Sequence, residues 1–233
     1  EVRTTRLASG NRKEALTPEA KTRTLAALAD FSQVLQRWQP VAPPILVATS
    51  AMREACDGAA FAKEIEKVTG WPVHILSGET EALCAYRGAA TVVEGPAMVL
   101  DVGGGSTELI WLQPQGDLQG GSVPLGAVRL QQQPLSPTEL RAAMSALWRD
   151  APAELPLVVV GGTITALAAM RQKLTVYRRE KVHGLLFKRE ELLALGREIA
   201  ACPLAERASR WPMLHEREDV ILDGLALIMT VLD

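Results

Sequence analysis

Residues Ala97–Gln113 read AMVLDVGGGSTELIWLQ. An apolar run ends on Asp101, three glycines follow, then Ser106, Thr107 and Glu108, and a second apolar run resumes. The two runs predict strands AMVLDV and TELIWLQ, reversed on the glycines and paired as a hairpin. Gly103, Gly104 and Gly105 carry no Cβ, so the backbone can turn tightly and an anion can approach it closely. Successive amides in such a turn converge as an anion-binding nest, and Ser106 and Thr107 add hydroxyl donors. Magnesium takes one or two carboxylates with phosphate oxygens and water, a set that Asp101 and Glu108 can supply. The turn lacks the Gly-Lys-Ser/Thr ending of a Walker loop. A strand rather than a helix follows it, which excludes the dinucleotide-binding pattern. Two readings stay open on these residues alone: a phosphate loop and a plain hairpin reversal.

Outward from the hairpin, the pattern alternates strands with helices. Upstream, Thr17 and Pro18 open a helix that runs to Trp38 with Leu25, Leu28, Phe31, Val34 and Leu35 at helical spacing. ILVATS predicts a strand buried on both faces. Phe61, Ile65 and Val68 form the stripe of the next helix, closed by Gly70. WPVHIL predicts another strand, and Ser77 caps a helix over SGETEALCAYRGAATVV. Downstream, GGSVPL supplies a third strand to the hairpin, and Ser136-Pro137 opens a helix through Trp148. LPLVVVGGTITALAAM repeats strand, glycine turn and helix, with Thr163 as the expected cap. Leu192–Ile199 and Asp219–Leu232 read as amphipathic helices. This alternation predicts an α/β fold. The pattern restarts at EGP, which places a domain boundary near Glu94.

The chain has 233 residues, 48% of them hydrophobic, enough for one large or two small domains. Lys and Arg number 25 against 27 Asp and Glu, a net charge of -2. With no basic excess, nucleic acid is not the default partner, and an anionic ligand must be held locally. Cys56, Cys84 and Cys202 form neither a disulfide framework nor a zinc spacing, which fits a reducing, cytoplasmic setting. No apolar run is long enough to span a membrane, and no signal peptide is visible. The chain opens at Glu1 without a first strand and stops at Asp233 inside a helical pattern; both ends read as cut.

Three further places bear on chemistry. Gly161 and Gly162 form a second glycine turn, and the amides of the helix behind it would face an anion; taken alone, the pair reads as an ordinary strand-to-helix turn. Glu79 and Glu81 lie at a helix start, where acidic residues are favoured electrostatically and where one of them can serve as general base to a water. Spacing does not choose between them. Arg53 follows the ILVATS strand and can grip a phosphate or sit on a helix surface. His74, His183 and His215 have no metal-ligand spacing and read as structural.

Together the segments TRLASG, ATSAMREA, TGWPVHILSGETEA, LDVGGGSTEL, PLGAVRL, VGGTITALAA, VHG and REDVILDGLALI resemble, in order, the exopolyphosphatase / guanosine pentaphosphate phosphohydrolase (Ppx/GppA) family of the actin-like ATPase superfamily. The resemblance implies two actin-like (ribonuclease H-like) domains, 1–94 and 95–233, with mixed sheets flanked by helices. It implies an active site in the cleft between the domains and a C-terminal helix packing back on the first. It implies release of terminal phosphate from polyphosphate, or of the 5′-phosphate of pppGpp, with magnesium and a monovalent cation, in a cytoplasmic homodimer. The family's catalytic glutamate stands directly before an alanine and falls on Glu81; the preceding acidic position of that pair is Thr80 here, a departure that spares the base. Phosphate and metal residues carry over to Asp101, Gly103 and Glu108. Gly104, Gly105, Ser106 and Thr107 line the loop, Gly161, Gly162 and Thr163 the second turn, and Arg53 contacts phosphate. The family begins with a further phosphate loop on an N-terminal hairpin, and this chain starts after it. Two rival functions are an ATP-using kinase or ATPase of the same superfamily, and a catalytically weak sensor of polyphosphate or guanosine alarmones. The choice between polyphosphate and pppGpp rests on basic residues such as Arg12, Lys13, Arg129, Lys173 and Arg178, which a sequence does not place.

Overall fold

The computed structural model describes residues 3–7, 14–113 and 115–233; Arg12, Lys13 and Ala8–Gly10 of the TRLASG segment lie outside the described residues. The chain divides into two compact units, Glu1–Glu81 and Ala82–Asp233.

In the first unit, α1 (Pro18–Trp38) starts as its sequence predicts: Thr17 is extended and its hydroxyl accepts the Ala20 amide. Parallel strands β1 (Leu46–Ala48) and β2 (Val73–Ile75) alternate with the short α2 (Ser50–Glu54) and with α3 (Gly58–Thr69). Leu46, Ala48, Val73 and Ile75 turn to a core built on Leu28, Met52, Phe61 and Ile65. Val47 and His74 point the other way and are exposed, so β1 is not the doubly buried strand its apolar run suggests. In the described unit, β1 pairs with β2 alone, and helices cover one face. Val68, expected in the α3 stripe, is exposed as well; the helix ends one residue later, on Gly70 at φ +72°. The start of α3 is tied to α1 through Asp57, which accepts from the Leu16 amide at 2.8 Å and from Lys21 Nζ at 2.5 Å.

Helix α4 (Gly78–Ala89) runs across the division, with the Ser77 hydroxyl accepting the Thr80 amide as expected. The second unit is built on β3 (Met98–Val102), β4 (Thr107–Leu112), β5 (Leu118–Val123) and β6 (Leu157–Val160), in the order β5-β4-β3-β6. The β3–β4–β5 meander is antiparallel and β6 runs parallel to β3. Alternation gives the sheet two apolar faces. Val99 and Ile110 pack with Tyr86 and Ala89 of α4; Leu100, Val102, Leu109 and Trp111 face the larger core. That core is closed by α5 (Ala127–Gln132), α6 (Pro137–Met144), α7 (Gly162–Arg171), α9 (Arg189–Ala200) and α11 (Ile221–Leu232), whereas α8 (Arg179–Val182) and α10 (Leu204–Arg210) bury no residue. The apolar α11 is buried against α5, α6, α7, α9 and β3 of its own unit. Ser136 and Glu139 form a reciprocal capping box on α6. The helix expected to reach Trp148 stops at Met144 and tightens into a 3₁₀ turn over Ser145–Leu147.

Candidate active site

The hairpin register sets the carboxylates. Asp101 on β3 lies directly opposite Glu108 on β4, which lies opposite Ser122 on β5. Directly opposed residues of an antiparallel pair share a face, with Cβ atoms about 5 Å apart. Glu108 is buried, and Ser122 Oγ donates to its Oε1 at 2.8 Å. That bond fixes the Glu108 carboxylate beside Asp101.

The glycine turn closes with Gly103 N donating to the Ser106 carbonyl at 3.0 Å. The carbonyls of Gly103 and Gly104 point back into the fold, accepting from Ala127 N at 2.9 Å and Val128 N at 3.0 Å. This docking of α5 needs Gly126, since a Cβ there would stand 2.4 Å from the Gly104 carbonyl carbon. With the carbonyls committed inward, the amides of Gly104 and Gly105 find no partner among the described residues. Gly104 is exposed, whereas Gly105, Ser106 and Thr107 are buried. The Thr107 hydroxyl donates to the Leu125 carbonyl at 2.7 Å, so its one proton is used within the fold.

The second glycine turn abuts the first strand. Gly161 has φ +104°, and a Cβ there would lie 2.5 Å from the Val102 carbonyl oxygen and 3.3 Å from Asp101 Oδ1. The second turn therefore reaches the Asp101 carboxylate. Thr163 does not cap α7: Gly161 takes the cap position, no side chain caps the helix, and Thr163 packs buried against Gly224 of α11. Arg217 lies against this turn. Its guanidinium occupies the space a side chain at Gly162 would take. Burial lowers its pKa from the ordinary arginine value, against the opposing charge of Glu216. In the sequence it opens the REDVILDGLALI segment, where nothing singles it out. Ser122 was equally hidden, because its role follows from strand register.

In the first unit the structure separates the two glutamates. Glu79 is exposed. Glu81 is largely buried, and its Oε2 accepts from Arg53 Nη1 at 2.8 Å. The same Nη1 also donates to the Leu76 carbonyl at 2.9 Å. Among the described residues no group of three or more His, Cys, Asp or Glu side chains could hold a metal by itself. The histidines stand apart from these carboxylate bonds; His183 Nε2 lies 3.4 Å from the Thr91 hydroxyl. No helix among the described residues is long and apolar enough to cross a membrane.

The pattern of the Ppx/GppA phosphatase family matches residues 1–233, the whole chain. The chain belongs to this family. Ppx/GppA relatives bear out both the sequence resemblance and the mixed α/β fold. Exopolyphosphatase 2 of Mycobacterium tuberculosis is 30% identical over 233 positions, covering 91% of this chain and 72% of that protein. The crystal structure of an exopolyphosphatase-like protein superposes with a TM-score of 0.83 at 27% identity, over 99% of this chain and 79% of the other. The Aquifex aeolicus Ppx/GppA family member gives 0.73 at 25% identity, again over 99% and 79%.

Proposed function

We propose that this Ppx/GppA phosphatase is an exopolyphosphatase, a hydrolase that releases the terminal phosphate of inorganic polyphosphate. The observation that carries the reading is the hairpin tip: unpartnered amides at Gly104 and Gly105 beside two carboxylates opposed in strand register. Amides without partners are preorganised for an anion, and paired carboxylates are what magnesium takes together with phosphate oxygens. Asp101 and Glu108 fit that ion through their donor chemistry. When bound, it would neutralise charge on the phosphoryl group.

Glu81 acts as general base. A water oxygen attacks the terminal phosphorus, its proton passes to the Glu81 carboxylate, and the bridging P–O bond breaks. The shortened chain leaves with that bond's electrons on its new terminal oxygen. The protein's further contribution is to hold developing negative charge with fixed donors, the main source of catalysis in phosphoryl transfer. Gly104 and Gly105 bind the phosphates through their amides, and Gly161 and Gly162 carry the second turn.

The test is phosphate release by the purified protein with magnesium, from long-chain polyphosphate, pppGpp and ATP in parallel. Polyphosphate turnover is expected. Glu81→Gln is expected to fold as wild type and to lose roughly 10²–10⁴-fold in rate, the usual contribution of a general base. A wild-type rate in Glu81→Gln would remove the assignment. Turnover of ATP without polyphosphate would replace it by the ATPase reading, and tight polyphosphate binding without turnover by the sensor reading.

A further inference from the structure

The resemblance gives Arg53 a phosphate to hold, but its nearest bonds are of another kind. Its Nη1 is shared between Glu81 Oε2 at 2.8 Å and the Leu76 carbonyl at 2.9 Å. Both carriers of this bond are fixed from below. The Arg53 amide donates to the Thr49 carbonyl at 3.0 Å where α2 leaves β1. The Glu81 amide donates to the Ser77 carbonyl at 3.0 Å in the first turn of α4, and the Leu76 amide to the Ala48 carbonyl at 2.9 Å. The guanidinium thus ties together the segments that leave the ends of two parallel strands. Only 28% of the Arg53 side chain and 18% of the Glu81 side chain is exposed. Among the described residues, Glu81 Oε1 accepts no hydrogen bond.

We propose that Arg53 is a positioning residue for the general base. It anchors one carboxylate oxygen of Glu81 and leaves the other bare for the proton of the attacking water. This has the arrangement of a catalytic base held by a third group, here with a backbone carbonyl orienting the orienter in turn. A planar guanidinium with fixed donor directions suits this task better than a mobile ammonium. The inference rests on the reading of Glu81 as base, and it makes a distinct demand. A residue that acts through Glu81 has nothing left to do once Glu81 cannot take a proton.

A double-mutant cycle reads that demand directly. Arg53→Met, Glu81→Gln and the double variant are assayed for kcat and KM on long-chain polyphosphate with magnesium, with folding checked by circular dichroism. Arg53→Met is expected to lower kcat on the order of 100-fold, within the range of a misplaced base, and to leave KM within about threefold. The double variant is expected to be no slower than Glu81→Gln alone. Arg53→Lys keeps the charge without the fork; it is expected to recover part of kcat at unchanged KM, and it stands in for Arg53→Met if that variant does not fold. A rise in KM with kcat retained in either Arg53 variant overturns the inference in favour of a phosphate contact. So do losses that multiply in the double variant. A fully active Glu81→Gln would instead remove the base itself and, with it, the proposed function.

Discussion

Gly161→Ala tests how tightly the two glycine turns are built against each other. Gly161 has φ +104° and ψ 171°, a region open essentially to glycine alone. Forcing an L-residue into such a conformation costs about 1–3 kcal/mol. A second term adds to it, because the new methyl would stand 2.5 Å from the Val102 carbonyl oxygen, which belongs to the backbone of a central strand and cannot swing aside. Relieving that contact by a shift of about 1 Å would pull the α7 start away from β3, where both are packed by neighbours. Taking the middle of the strain range with a further ~1 kcal/mol for the contact gives about 3 kcal/mol, a factor of roughly 10² in the folding equilibrium. The assay is urea unfolding followed by far-UV circular dichroism, compared at constant m so that only stability has changed. Gly88→Ala in α4 is the control. Nothing lies within 4 Å of its would-be Cβ, so the helix propensity of alanine should make that variant neutral or up to about 1 kcal/mol more stable. Equal midpoints for Gly161→Ala and wild type would show that the turn relaxes freely and is not locked against β3.

Three other outcomes follow from single contacts. Thr107→Val removes the donor to the Leu125 carbonyl in a fully buried place, which should cost about 1–3 kcal/mol in unfolding experiments. Turnover per folded molecule should stay near wild type, because that hydroxyl proton is used in the fold; a collapse of kcat with stability intact would put it on the substrate. Asp57→Asn should destabilise at neutral pH and not in acid. Burial works to raise the Asp57 pKa, but the Lys21 and Leu16 hydrogen bonds and the Lys21 charge outweigh it and leave the value below 3.8. A depressed carboxylate contributes stability above its unfolded pKa and loses it as pH falls through the folded one. The wild-type advantage over Asp57→Asn in chemical unfolding should therefore be full above about pH 5 and fade below the ordinary aspartate range; an advantage independent of pH would refute the charge-based account. Asp101→Asn should raise the magnesium concentration needed for half-maximal phosphate release more than it raises KM for polyphosphate, and a titration with unchanged midpoint would take Asp101 out of the metal site.

Much of this was legible in the sequence because the signals are local. A hydroxyl followed by proline marks the starts of α1 and α6, glycine closes α3, and a glycine turn between apolar runs becomes the β3–β4 hairpin. What escaped depends on neighbours distant in the chain. Val47 is as apolar as a buried strand residue, but burial is decided by what lies on that face. Thr163 has the composition of a helix cap, yet α11 brings Gly224 against it and it becomes a packing residue. Thr107 reads as a loop donor, but its hydroxyl donates to the Leu125 carbonyl. Ser122 lies outside every motif and Arg217 is not singled out within REDVILDGLALI, and only register and close packing place them at Glu108 and Gly162.

The glycine turn illustrates why composition and role diverge. Ser106 and Thr107 look like its chemical part and the glycines like its hinge. In the fold the polarity is reversed: the hydroxyl residues are buried, and the turn's carbonyls at Gly103 and Gly104 are drawn inward by the first amides of α5. A peptide group whose carbonyl is anchored inward turns its amide the other way, which at Gly104 is toward solvent, so α5 determines which atoms of the hairpin face a ligand. The approach of α5 in turn depends on Gly126, twenty-one positions beyond Gly105 and outside the motif itself. Gly126→Ala should therefore impair phosphate binding without touching any residue of the turn, by pushing α5 off the two carbonyls. The expected result is a rise in KM for polyphosphate with Glu81 chemistry preserved in kcat. Unchanged KM in a variant that still folds would show that the outward amides are set by the hairpin alone.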